Sequence, residues 1–198
     1  MMKNTRQERQ ADTRKAILQT ALELIAEKGL DKLSLREIAR RVGYSPAGLY
    51  EYFDSKEGIL LTLAEEGDGW LRKAALNIPA ELPALERLIQ ACLAYVDFAI
   101  HNAEHFIIMN SLTTGRASLD EPASSESSYT AFLRIIQAAM DEGDISAQGN
   151  FGAEEITYGL WALIHGIGIL RLTQLRNFEA DFETMNRKVI ETFIKGLK

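Results

Sequence analysis

The sequence predicts an all-α protein, and three observations carry that reading. Its 198 residues include only four prolines and are rich in Ala, Leu, Ile and Glu, which favour helix. Apolar residues recur three and four apart along most of the chain. No stretch alternates apolar and polar residues over the length of a strand. With 46% hydrophobic and 25% charged residues the composition is that of a globular chain, able to bury one large core or two small ones. The single cysteine, Cys92, excludes a disulfide framework or a cysteine zinc site, and three histidines leave little for a metal centre. No metal and no cofactor are expected. Met1 to Lys15 has no apolar run of the secretory kind, and Ile156 to Leu170 is too short to span a bilayer, so the expected setting is cytoplasmic and away from membranes. The net charge of −6 argues, taken whole, against a nucleic-acid partner.

About nine helices can be justified in order. From Asp12 to Lys28, Ile17, Ala21, Leu24 and Ile25 share one face, and Gly29 supplies a stop. Lys3, Arg6, Arg9, Arg14 and Lys15 read as a basic, flexible lead-in able to track phosphates. Ser34 and Glu37 form the spacing of a capping box, with Leu33 and Ile38 at the positions of a hydrophobic staple. Gly43 ends that short helix. Ser45-Pro46 restarts the chain with an N-cap serine and a proline at the first helical position, opening a third helix through Leu49 to Phe53. Asp54 and Glu57 suggest another capping box, for a fourth helix through Leu60, Leu61, Leu63 and Ala64. Pro83 to Ala99 is amphipathic, and Asn102 to Leu112 is apolar around Phe106 and Met109. Gly115 to Ser128, rich in serine, reads as a loop. Tyr129 to Met140 is helical. Ala153 to Leu175 is apolar on most faces, which implies burial on more than one side. Asp181 to Lys195 closes the chain.

Ser34 to Phe53 therefore presents two short helices joined by a tight turn. Ala39 offers a small side chain where the helices cross, and Gly43 tolerates the φ > 0 of a sharp turn. Such a pair presents its second helix to the DNA major groove, here with Tyr44, Ser45, Ala47, Gly48, Tyr50, Glu51 and Tyr52 outward. Charge partition supports this. Residues 1 to 56 hold eleven Lys/Arg against eight acids, net +3, whereas residues 57 to 198 hold eleven against twenty, net −9. The acidic total hides a basic N-terminal module.

From Ala16 through Leu61, and above all in Gly29-Leu30-Asp31-Lys32-Leu33-Ser34-Leu35-Arg36-Glu37-Ile38-Ala39 and in Leu49-Tyr50-Glu51-Tyr52-Phe53-Asp54-Ser55-Lys56-Glu57, the chain resembles the DNA-binding domain of the tetracycline-repressor (TetR) family. The resemblance implies a helix-turn-helix domain over residues 1–56 and an effector-binding and dimerisation bundle over 57–198. It implies a homodimer that reads a palindrome-like double-stranded operator, and a repressor released by a small effector, expected to be largely apolar because a cavity between bundle helices is mostly apolar. Position by position, Tyr44, Ser45, Ala47 and Gly48 fall where the family contacts bases, and Tyr50 and Tyr52 where it contacts bases and phosphates. Ser34, Arg36 and Lys56 fall where it grips the backbone.

Beyond that domain, Trp161-Ala162-Leu163-Ile164-His165-Gly166 resembles a Trp-x-x-x-His-Gly motif of one group of TetR effector domains. Trp161 and His165 share a helical face and either line a cavity or fill a core. Trp70, Tyr95, Phe98, His101, Phe106, Met109, Phe132 and Tyr158 are candidates for the same cavity, and no catalytic residue is expected. Leu160, Leu163, Ile167, Leu170, Val189 and Phe193 are candidates for a dimer face, or for the chain's own core. Two rival readings compete with this one. His101-Asn102-Ala103-Glu104-His105 spells the H-x-x-E-H of a class of zinc hydrolases, although a helix junction at this point would spoil its geometry. A helical dimeric interaction module with no DNA role would leave the outward face of Ser45 to Tyr52 unexplained.

Overall fold

The computed structural model describes residues 5–112, 127–146 and 152–197. These residues form nine α-helices: α1 (Arg6–Lys28), α2 (Leu35–Val42), α3 (Pro46–Leu49), α4 (Lys56–Leu76), α5 (Ala84–His101), α6 (Ala103–Ser111), α7 (Ser128–Asp141), α8 (Ala153–Leu172) and α9 (Phe182–Lys195). A short 3-10 turn, Leu30–Lys32, links α1 to α2. None of the helices is long and apolar enough to cross a membrane. The expected all-α class is what forms. The serine-rich segment read as a loop lies for the most part outside the described residues.

Two compact units divide the chain: Met1–Gly67 with Glu104–Thr114, and Asp68–Ala103 with Gly115–Lys198. The first is cored by Ile17, Ala21, Leu24 and Ile25 of α1, Leu33, Ile38 and Ala39 around α2, Leu49 and Phe53, Ile59, Leu60 and Leu63 of α4, and Ile108 of α6. In the second, α5 packs on α7, α8 and α9. Its core joins Leu88, Cys92 and Val96 of α5 to Ile136 and Ala139, Ile156, Leu160 and Ile164, and Ile190 and Ile194. Cys92 is fully buried there, which pushes its thiol up to about 12. Gly159 lets α9 approach α8, since a Cβ at that position would stand 2.9 Å from Cζ of Phe193.

Several local expectations change. From Arg6 onward the basic lead-in is helix, Lys3 lying outside the described residues: Thr5 Oγ1 accepts from the amide of Glu8 at 3.2 Å, and the Glu8 carboxylate accepts from the amide of Thr5, so a capping box starts α1 at Arg6. Arg6, Arg9, Arg14 and Lys15 are therefore fixed along one rod. The third helix has four residues rather than reaching Phe53, because Tyr50 to Phe53 are held in turns. Ser55, not Asp54, caps α4, accepting from Gly58 at 3.0 Å. The long apolar helix ends at Leu172 rather than Leu175. In the second unit the caps are tertiary as well as local. The first amides of α5 donate to Glu142 and Asp144 at 3.1 and 3.2 Å, setting carboxylates at a helix N-terminus where the dipole favours them.

Candidate nucleic-acid interface

The turn is built from its caps. Ser34 Oγ accepts from the Glu37 amide at 3.3 Å, while Leu33 and Ile38 are both buried beneath, as a staple requires. The reciprocal half of the expected box is missing, because the Glu37 carboxylate is taken by Arg40 at 2.8 Å and Lys28 at 3.3 Å. Those bonds hold its carboxyl at about 2. Arg41 meets Glu27 bidentately, at 2.8 and 2.5 Å, and so ties α2 to α1. Arg40 and Arg41 are thus committed to ion pairs within the protein, whereas Arg36, the third arginine of α2, is exposed. Gly43 adopts φ 76° and ψ 25°, the left-handed cap that reverses the chain, and the Tyr44 amide bonds the Ala39 carbonyl at 2.9 Å. Ala39 is fully buried at the crossing.

Ser45 then caps α3, accepting from Gly48 at 3.0 Å, with Pro46 in the first turn. Leu49 and Phe53 point into the core and anchor the segment from inside. That leaves Ser45, Ala47 and Tyr50 exposed and Gly48 half-buried; Tyr50 keeps 55% of its surface and Tyr44 40%. Tyr52 is half-buried, and its ring meets that of Tyr44 edge to face, centroids 5.7 Å apart. Arg36 is exposed on α2, Ser34 caps it, and Lys56 begins α4 half-buried. All nine residues assigned by resemblance therefore belong to one compact unit. Two neighbours lie outside those nine, Thr13 and the Arg14 of the basic lead-in. Arg14 Nη1 donates to the carbonyl of Tyr52, and Thr13 lies 3.4 Å from the Tyr44 hydroxyl.

The other candidates divide between the units. Phe106, fully buried, and Met109, half-buried, belong to the first; the remaining eight belong to the second. There Tyr95, Trp161 and His165 meet. The indole N–H of Trp161 donates to the Tyr95 hydroxyl at 3.3 Å, and that hydroxyl is 3.1 Å from Nδ1 of His165. Burial raises the Tyr95 phenol above its ordinary range, partly offset by the Trp161 bond, and lowers the His165 imidazole. A neutral His165 can accept the phenol's hydrogen at Nδ1. Phe98 is buried and Phe132 packs on the core, whereas His101, Trp70 and Tyr158 stand exposed.

Among the dimer candidates, Leu160 needs correction: it is fully buried in its own unit's core and has no surface to offer. Leu163, Ile167 and Phe193 are half-buried against that core, while Leu170 and Val189 are exposed beside Ile169 and Met185 of the same helices. The H-x-x-E-H spacing is broken. Asn102, at φ −130° and ψ 50°, ends α5, leaving His101 exposed with Nδ1 on the Asp97 carbonyl and His105 buried in α6, 3.7 Å from Glu66. No group of three potential metal ligands occurs among the described residues.

Residues 17–63 match the family described as bacterial regulatory proteins, tetR family, and residues 88–193 match the tetracyclin repressor-like, C-terminal domain. An uncharacterized HTH-type transcriptional regulator, YobS, of Bacillus subtilis (strain 168) is 23% identical over 185 residues, covering 93% of this chain and 92% of its own. The fatty acid metabolism regulator protein of the same organism is 26% identical over 184 residues, covering 91% and 93%. A solved structure of a protein with unknown function from Rhodococcus sp. RHA1 superposes with a TM-score of 0.74 at 29% identity, covering 93% of this chain and 95% of that one. With both halves matched, the chain belongs to the TetR family of helix-turn-helix, DNA-binding transcriptional regulators.

Proposed function

We propose that the chain is a repressor that binds a palindrome-like operator as a homodimer and leaves it when a small, largely apolar effector binds. The observation that carries this is the outer face of Ser45 to Tyr52: small residues and tyrosines stand exposed while Leu49 and Phe53 anchor the segment in the core. Tyr44, Ser45, Ala47 and Gly48 read base edges, and Tyr50 and Tyr52 share base and phosphate contacts. Ser34, Arg36 and Lys56 grip the backbone. Residues 1–56 form the DNA-binding domain of this reading and 57–198 the sensing and dimerising part, acting in the cytoplasm without catalysis.

The apolar surfaces of α8 and α9 support dimerisation, since Ile169, Leu170, Met185 and Val189 are large, exposed and confined to two adjacent helices. The polar trio Tyr95, Trp161 and His165 supports an effector site among otherwise apolar helices. An effector releases DNA by preferring a dimer whose recognition helices depart from the spacing of about 34–36 Å set by one turn of duplex.

The test uses a duplex that the wild-type chain enriches from a randomised pool. Tyr50→Ala should weaken its binding by about 1–3 kcal/mol with the fold intact. Lys56→Ala should weaken selected and scrambled duplexes alike and lower the salt slope by about 0.9 for each phosphate no longer neutralised. Unchanged binding by both variants would remove the assigned face.

A further inference from the structure

Two neighbours on α1 lie against the recognition turn. Arg14 Nη1 donates to the Tyr52 carbonyl at 2.5 Å, and its guanidinium carbon stands 4.0 Å from the centre of the Phe53 ring. Thr13 Oγ1 donates its one hydrogen to the Arg9 carbonyl at 2.9 Å. Its lone pairs are then what the Tyr44 hydroxyl meets at 3.4 Å, and the Tyr52 hydroxyl donates to Tyr44 at 3.5 Å. The hydroxyls therefore run in one direction, from Tyr52 through Tyr44 and Thr13 to the α1 backbone.

A four-residue helix has no orientation of its own. Leu49 and Phe53 hold α3 from inside, and Gly43 frees the turn that precedes it. The Tyr52 carbonyl lies past the last residue of α3, and Arg14 is the side chain that takes it. A planar guanidinium can stack on Phe53 and donate in its plane at once, which an ammonium cannot do.

We propose that Arg14, with Thr13 beside it, is a positioning residue for the DNA-reading face, fixing the backbone and ring orientations of Tyr44 and Tyr52 rather than anchoring a phosphate. This rests on the reading that those tyrosines face DNA. It reverses what charge alone gives Arg14, since a basic residue near the N-terminus of a DNA-binding domain is ordinarily counted toward the phosphates.

The full chain is compared with Arg14→Lys, Arg14→Gln, Thr13→Val and Thr13→Ser by fluorescence anisotropy on the selected duplex, at several salt concentrations. A scrambled duplex of equal length is run in parallel, and thermal unfolding is recorded for each variant. Arg14→Lys and Arg14→Gln should both lose about tenfold in affinity for the selected duplex, with the salt slope unchanged and discrimination against the scrambled duplex reduced. Thr13→Val should also weaken binding, and Thr13→Ser should restore it. Rescue by lysine, together with a slope lowered by about 0.9 per phosphate in Arg14→Gln, marks a phosphate anchor and overturns the proposal. Wild-type binding by both Arg14 variants overturns it too. Should the Arg14 variants melt early, the Thr13 pair decides, because valine keeps the volume of threonine, and equal binding by Thr13→Val and Thr13→Ser is fatal. Tyr44→Ala and Tyr52→Ala run alongside. If both bind normally, the tyrosines do not face DNA and the parent reading fails with this one; if both weaken while the α1 variants bind normally, the positioning role alone fails.

Discussion

At Gly48 an added methyl would meet Ser45 Oγ at 3.4 Å and Tyr44 Cδ1 at 3.5 Å, ordinary contact distances. Gly48→Ala should therefore keep or slightly raise the melting temperature, since alanine favours helix over glycine by about 1 kcal/mol. Where Gly48 faces DNA, the same methyl intrudes on the groove and affinity for the selected duplex falls. Gly43 is its opposite. At φ 76° any side chain is strained, so Gly43→Ala should cost about 1 kcal/mol in thermal unfolding before any DNA is added. Gly43 was legible in the sequence because a left-handed cap is a property of one residue. Arg14 was not, because its partner lies 38 residues away and only the folded chain brings them together.

The tie between α1 and α2 gives a pH dependence at the scale of elements. Glu37 is held at about 2 by Arg40 and Lys28, below its ordinary 4.5, so its charged form is favoured by folding. Its contribution is present above about pH 4.5 and fades as pH falls toward 2. Melting curves of the wild type and Glu37→Gln should differ at neutral pH and converge near pH 2. Helix faces were readable from spacing, and α2, α5, α9 and the part of α1 from Asp12 onward follow from it, whereas the Thr5 cap that starts α1 six residues earlier was missed. Reciprocal capping by Glu37 was not readable either, since a nearby guanidinium competes for the carboxylate and spacing does not reveal it. Nor did periodicity sort the faces of α8. Leu160 and Leu170 are both leucines on an apolar helix, one sealed at 0% exposure and the other open at 45%. Leu160→Ala should cost about 2–5 kcal/mol in chain stability.

For the whole molecule, Leu170→Glu combined with Val189→Glu should convert a dimer to monomers in sedimentation while leaving the helical dichroism unchanged. On the proposed homodimer a drop in operator affinity should accompany it, since each protomer would then read one half-site. His105 and His165 are both lowered by burial below the ordinary 6.5, although Glu66 draws His105 partly back. A histidine favoured neutral in the fold contributes stability above about pH 6.5 and loses it as pH falls through its folded value. Mild acid should therefore lower the melting temperature, less so in a His105→Gln, His165→Gln double variant. Summed over the chain, charge misleads, since −6 averages a basic N-terminal part and an acidic remainder that counting by segment separates.

Ile108, at 0% exposure, belongs to the core of the first unit although it follows α5 of the second. The first unit, which holds the recognition turn, is therefore written in two separated passages of the chain. Its portability is limited accordingly. A chimera that transplants residues 5–67 onto another sensor would leave Ile108 and Leu112 behind and open a hole in that unit's core. Exchange of reading heads between such regulators, whether by design or by recombination, has to carry α6 along with α1 to α4 or supply a substitute of matching shape.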